Sequence, residues 1–296
     1  MIGYEVVDMF AERPYAGSPL CVVPEAQGLS GAAMRAIAAE VNTAETAFVL
    51  PPTVPEAAYR VRVFTPLRES AHGGHSAVGT AATLARLGVL PPGRTVQECG
   101  AGRQELVVAD GRAELLGRGA LPGSPLAPGP LLAAAGLSEH DLADAEPGSA
   151  GYGGGFAFLP VRADAVAGAR LDRAALAAAG LPALCLVAWD SDRRCAHTRL
   201  FAPGFDLPED PACAPVAMGL GVWLVRTGWL PGSDGTHAYT VRQGEEVGRP
   251  ARLECTVSVE GGEVAHGGVT GDVVPVALGR AVVPVEPADG QPLRAT

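Results

Sequence analysis

The feature that most constrains this chain is that it contains one segment twice. Arg62-x-Phe64-x-Pro66 recurs as Arg199-x-Phe201-x-Pro203, at an offset of 137 residues. Three extra residues follow in the second copy. The offset then becomes 140, and Glu69, Gly79, Leu84, Arg86 and Gly88 meet Glu209, Gly219, Leu224, Arg226 and Gly228. One strand, one acidic loop and one apolar helix therefore occur twice in the same order. Stacked repeat architectures have periods of roughly 20–50 residues, so a period this long marks a domain duplication. Such a chain folds into two similar halves, and equivalent places in the halves can face each other across the boundary.

The stretch Leu121 to Pro130 (LPGSPLAPGP) reads as the crossing between the halves. Its four prolines remove backbone donors and break both helix interiors and central strands. The expected halves are residues 1–121 and 122–296, with the final segment free to pack back on the first. In the first half, Tyr4–Phe10, Pro19–Val23, Ala47–Leu50, Tyr59–Phe64, Val96–Cys99 and Gln104–Ala109 have strand patterns. Ser30 precedes a capped helix, and Ser76–Leu87 is a longer apolar one. In the second half, Phe156–Val161, Leu184–Trp189, His197–Phe201, Ala238–Arg242, Leu253–Val259 and Val264–Val269 look extended, and Pro211–Arg226 reads as a buried helix. The glycines from Gly151 to Gly155 read as a loop; they lack the spacing of a dinucleotide fingerprint.

Composition removes several function classes. Apolar residues make up 48% of the chain and charged ones 18%, enough to bury a core. A net charge of −10 argues against a nucleic-acid partner, which needs a basic face for phosphates. All 22 basic residues are arginine. Without lysine there is no internal pyridoxal-phosphate aldimine, no lysine Schiff base and no phosphate-loop lysine. None of the six cysteines forms a C-x-x-C pair, so no zinc ribbon or thioredoxin motif is expected. The opening MIGYEVVDMF lacks the basic region of a signal peptide, and no apolar run has the length of a membrane span. A cytoplasmic protein with reduced thiols is the expectation.

In each copy the apolar helix follows a polar turn: Ser70 to His75 in the first, Asp210 to Ala214 in the second. A helix start offers unpaired N–H groups and a positive dipole end, which attract a carboxylate and lower the pKa of a nearby thiol. Two such starts facing each other would hold a small anionic substrate, with acids and bases in the same turns moving its protons. Glu45, His75, Asp210 and Cys213 are the candidate catalytic residues. Asn42, Gly73, Gly74, Ser76 and Ala214 are the candidates to contact substrate. Each has a plainer reading: a solvated turn glutamate, a capping histidine, a capping aspartate, an inert thiol. His72-x-x-His75 has no second ligand pair at fitting spacing, so no metal is expected.

At these residues the sequence resembles the PhzF family of phenazine biosynthesis, within the diaminopimelate epimerase-like superfamily. The resemblance rests on Asp8-x-Phe10, Gly17-Ser18-Pro19 and Val22-Val23; on Ala39 through Thr46; on Arg62 to Pro66 with Glu69, Gly74-His75 and Gly79-Thr80-Ala81; on Glu209-Asp210-Pro211-Ala212; and on Gln243-Gly244, Gly248-Arg249-Pro250, Gly267-Gly268 and Gly279. It implies an α+β fold of two pseudo-symmetric halves, each a curled, mostly antiparallel sheet around a central helix, with the active site between them. It implies a homodimer and a cofactor-free double-bond shift in which Glu45 moves the proton, with His75 and Asp210 as polar partners and the helix starts on the substrate carboxylate. The sequence departs from the pattern after Ala212. Thr-Gly-Ser-Ala is common there, and Cys213-Ala214-Pro215-Val216 stands instead. The related racemases carry a catalytic cysteine at this place in each half, but Gly73 faces Cys213 here. The resemblance thus favours an isomerase of an unsaturated amino or carboxylic acid, in specialised metabolism such as the alkylproline branch of lincomycin-like antibiotics. An amino-acid racemase or epimerase, or a non-catalytic binding protein on the same fold, are the alternatives.

Overall fold

The structure is a computed structural model that describes residues 1–71, 73–109 and 111–284; of His75 it describes the backbone. The first half opens with β1 (Ile2–Met9) and β2 (Ser18–Val23), then α1 (Gly31–Val41). Ser30 caps α1 as expected: its hydroxyl accepts the Ala33 N–H at 3.1 Å. Next come β3 (Glu45–Leu50), β4 (Tyr59–Phe64), β5 (Glu69–Ser70), α2 (Gly74–Arg86), β6 (Gly93–Cys99), β7 (Gly102–Ala109) and β8 (Arg112–Arg118). After β9 (Ala120–Leu121) the second half follows with α3 (Pro128–Ala135), β10 (Gly148–Tyr152), β11 (Phe156–Pro160), α4 (Arg173–Ala178) and β12 (Leu184–Asp190). It continues through β13 (Cys195–Phe201), β14 (Glu209–Asp210), α5 (Ala214–Arg226), β15 (Gly235–Gln243), β16 (Ala251–Glu260) and β17 (Glu263–Gly271) to β18 (Val273–Ala281).

The duplication read from the sequence is a duplication of topology. Strands β1-β2-β3-β4-β6-β7-β8 pair antiparallel, parallel, antiparallel, parallel, antiparallel, antiparallel. Strands β10-β11-β12-β13-β15-β16-β17 repeat that series. The halves join where β8 pairs with β17, and they exchange tails: β9 pairs with β10, and β18 returns to β1. The strand path runs from β9 to β18 without closing.

Each sheet curls around its own helix. Ala77, Val78, Ala81 and Leu84 of α2 are buried, as are Val216, Leu220, Trp223 and Leu224 of α5. Equivalent glycines let each helix press on the equivalent strand. A Cβ on Gly79 would lie 2.6 Å from Leu20 and Met9, and one on Gly219 would lie 3.1 Å from the Ala150 carbonyl. The paired Arg and Glu of the repeat also meet in both copies, Arg62 with Glu69 and Arg199 with Glu209.

Some elements differ from expectation. α3 starts inside the proline-rich crossing, because Pro128 occupies the first helical turn, where no N–H is required. Gly151 belongs to β10, and the loop is shorter than the glycine run. The helix expected from Pro211 begins at Ala214, since Asp210 and Cys213 hold the preceding turn. Among the described residues no helix is long and apolar enough to cross a membrane.

Candidate active site

Glu45 lies at the first position of β3, directly after the turn that ends α1 at Asn42. Two neighbours set its place, the parallel pairing of Leu20 with Glu45 and the antiparallel pairing of Thr46 with Phe64. The Thr43 hydroxyl donates to the Glu45 carbonyl at 2.8 Å and lies 3.3 Å from the Thr46 hydroxyl. Glu45 is 9% exposed, so it is a buried carboxyl and not a solvated turn residue.

Asp210 comes from the other half. It is buried in β14, where it pairs with Leu200. Its Oδ1 accepts the Ala212 N–H at 3.0 Å, and its carbonyl accepts from the Gln243 amide at 2.6 Å. Gln243 is itself oriented by the Thr198 hydroxyl at 3.3 Å.

Cys213, the residue before α5, connects the two carboxyls. Burial pushes its thiol well above the ordinary range, and the charges of Asp210 and Glu45 push it the same way. Residues 45 and 210 therefore act on one sulfur from opposite halves. This also corrects the expectation that the helix start would make the thiol acidic. Desolvation and two nearby carboxylates outweigh the dipole, and the thiol is neutral at neutral pH.

The two helix starts touch. A Cβ on Gly74 would lie 2.3 Å from Pro215 Cγ. They are unequal as anion sites, because Pro215 has no N–H to offer in the first turn of α5, whereas the equivalent residue of α2, His75, has one, as do Gly74 and Ser76. Gly73 faces inward, and a Cβ there would lie 3.1 Å from Val63 and 3.2 Å from the Ser76 hydroxyl. That hydroxyl is buried with no hydrogen-bond partner among the described residues. Ala214 is buried beside Cys213. Asn42 is exposed, in the left-handed conformation that closes α1, so it lies outside the buried cluster of Glu45, Asp210 and Cys213. His72 and the side chain of His75 lie outside the described residues; the backbone of His75 is in the first turn of α2.

Residues 7–279 match the family described as PhzC-PhzF, phenazine biosynthesis-like protein. The chain belongs to the PhzF family. A Mesorhizobium japonicum relative described as an uncharacterized isomerase is 31% identical, covering 95% of this chain and 98% of its own length. The trans-2,3-dihydro-3-hydroxyanthranilate isomerase of Pseudomonas aeruginosa is 29% identical over 94% of this chain and 98% of its own. A PhzF-family structure from Bacillus anthracis superposes with a TM-score of 0.85 at 22% identity, covering 95% and 99% of the two chains. The fold is thus the diaminopimelate epimerase-like one, and this PhzF chain is an enzyme of the isomerase class.

The sequence assigns no role to several residues that hold these buried groups in place in this PhzF chain. Thr43 and Gln243 act through backbone carbonyls, which leave no residue-type signal. Pro215 was visible as a departure from the family pattern, but its contact with Gly74 depends on how the halves meet.

Proposed function

We propose that this protein is a cofactor-independent isomerase that shifts a proton and a double bond on a small unsaturated amino or carboxylic acid. The observation that carries this reading is that Glu45 and Asp210, buried in opposite halves, both bear on the buried thiol of Cys213, and we read that cluster as the substrate pocket. Glu45 removes a proton from an allylic carbon. The electron pair forms the new double bond, the old one shifts, and its far carbon takes a proton back, so one C–H bond breaks, one forms and the formula is unchanged. Asp210 and His75 hold the polar end of the substrate, and the α2 start, richer in donors, receives its carboxylate at Gly74 and Ser76. Cys213 enters as a neutral thiol, which suits proton donation and not abstraction. The proline and the thiol where the family commonly has Ser and Thr favour a substrate other than the phenazine precursor, in a specialised pathway such as the alkylproline one.

The experiment is turnover in deuterated water, with trans-2,3-dihydro-3-hydroxyanthranilate and a panel of unsaturated amino and carboxylic acids. A product should carry deuterium at the carbon that gains the proton. Glu45→Gln should lower kcat at least about 100-fold. Wild-type turnover by that variant would remove Glu45 from the mechanism. A racemase that works with two thiols is disfavoured, because Gly73 carries no thiol opposite Cys213, and Val63 and Ser76 crowd the place where a side chain would start.

A further inference from the structure

Glu45 and Asp210 belong to different halves, so some contact must hold the halves at the spacing that lets them share a pocket. Arg249 lies between β15 and β16 in the second half. It forms an ion pair with Asp8 of β1, whose side chain is 2% exposed. Its Nε donates to the Gly17 carbonyl at 2.7 Å and its terminal nitrogen to the Ala16 carbonyl at 3.0 Å. Backbone bonds run alongside: the Gly17 N–H donates to the Pro250 carbonyl at 3.0 Å, and the Arg252 N–H to the Phe10 carbonyl at 2.9 Å.

Both ends of this contact lead to the pocket. On the first-half side, Gly17 opens directly into β2, whose Leu20 pairs with Glu45. The loop before it is strained: Phe10 and Tyr15 have φ of 57 and 64°. Non-glycine residues hold such angles only where their surroundings enforce them. The enforcement here is Asp8, whose second carboxylate oxygen accepts the Tyr15 N–H at 2.6 Å. On the second-half side, the Arg249 N–H donates to the Gly244 carbonyl at 2.9 Å. Gly244 packs so close to Pro211 that a Cβ would lie 2.7 Å from the Pro211 carbonyl. Next to it, Gln243 holds the Asp210 carbonyl.

We propose that Arg249 is a positioning residue, which sets the spacing of the two halves at the pocket by tying the segment beside Glu45 to the segment beside Asp210. This rests on the reading of that pocket as the active site. A planar guanidinium with five donors reaches the carboxylate and both carbonyls together, whereas the ammonium of lysine cannot match that fork.

Cys213 reports on the spacing, because it is buried where the halves meet. Cys185 and Cys255 are buried in the second half and serve as internal controls. Native protein is treated with iodoacetamide, and the rate at each cysteine is read by peptide mass spectrometry for wild type, Arg249→Ala, Arg249→Lys and Asp8→Asn. Cys213 should react at least about tenfold faster in Arg249→Ala and by a smaller factor in Arg249→Lys and Asp8→Asn, while Cys185 and Cys255 keep their wild-type rates. Two results overturn the proposal: a wild-type Cys213 rate in both arginine variants, or equal acceleration at all three thiols, which would make Arg249 a matter of general stability. The lysine variant keeps the test open if the alanine variant does not fold. The readout needs no substrate, so its failure is distinct from that of the proposed chemistry, which Glu45→Gln tests.

Discussion

Gly73 and Cys213 occupy matching positions in the two copies, and their neighbours give them different amounts of room. Cys213 sits where a side chain fits, beside Asp210 and below α5. Gly73 sits against Val63 and Ser76, where a Cβ would lie 3.1 and 3.2 Å from their side-chain atoms and would crowd both. Gly73→Ala should therefore destabilise the protein by about 1–3 kcal/mol in urea melts, the usual cost of overpacking. Gly73→Cys should not create a racemase of proline or diaminopimelate, as chiral chromatography would show. At this scale the sequence was informative where residue type carries chemistry. Glu45 and Asp210 could be named as candidates from their motifs. The state of the Cys213 thiol could not, because it is set by burial and by a carboxylate 168 positions earlier in the chain. Nor could the task of Arg249, whose acceptors lie more than 230 positions away.

The repeated Arg and Glu show how two copies of one element diverge in energetics. Arg62 and Glu69 have side chains 31% and 39% exposed, whereas Arg199 and Glu209 are 8% and 10% exposed. Arg199 also donates to the Val166 and Ala169 carbonyls, at 3.0 and 2.9 Å. Breaking the buried pair leaves an uncompensated charge, so Glu209→Gln should cost about 3–5 kcal/mol. Glu69→Gln should cost about 1 kcal/mol or less, because solvent screens that pair. Equal losses in matched urea melts would contradict this. The repeat in the sequence showed that both pairs exist but not how deep each lies. The second copy is covered by the segment between β11 and α4, which carries Val166 and Ala169. The strands with clear alternation were legible for the same reason that their cores are: β4 was placed at its observed bounds. β18 was missed because its outer face is exposed, with Leu278 82% accessible, so it lacks the pattern of a half-buried strand.

For the molecule as a whole, buried thiols predict a steep loss of stability in base. Burial pushes Cys21 up to about 12, and pushes Cys185, Cys213 and Cys255 up as well. In the unfolded chain each ionises near its ordinary value of about 8.5. Between that pH and the folded value, the unfolded state holds fewer protons than the native one, and stability falls as pH rises. The contribution is complete below about pH 8.5 and is lost at about 1.4 kcal/mol per pH unit for each such thiol. The chain has no lysine to lose charge in the same range. Urea melts from pH 8 to 10 should show the decline, and Cys255→Ala should flatten the slope by about 1.4 kcal/mol per pH unit. A curve level to pH 10 would mean that the thiols are not sequestered as described.

The crossing of β9 onto β10 and of β18 onto β1 has a consequence for how the protein can be taken apart. Neither lobe contains its own last strand. A fragment ending after residue 125 would leave the edge of β1 bare along the register that Val273 to Ala281 normally occupies, and such bare edges recruit other chains. Expressed alone, each lobe should aggregate or stay unfolded. Expressed together, the two pieces should find each other and refold as one body, with each supplying the strand that covers the other's open edge.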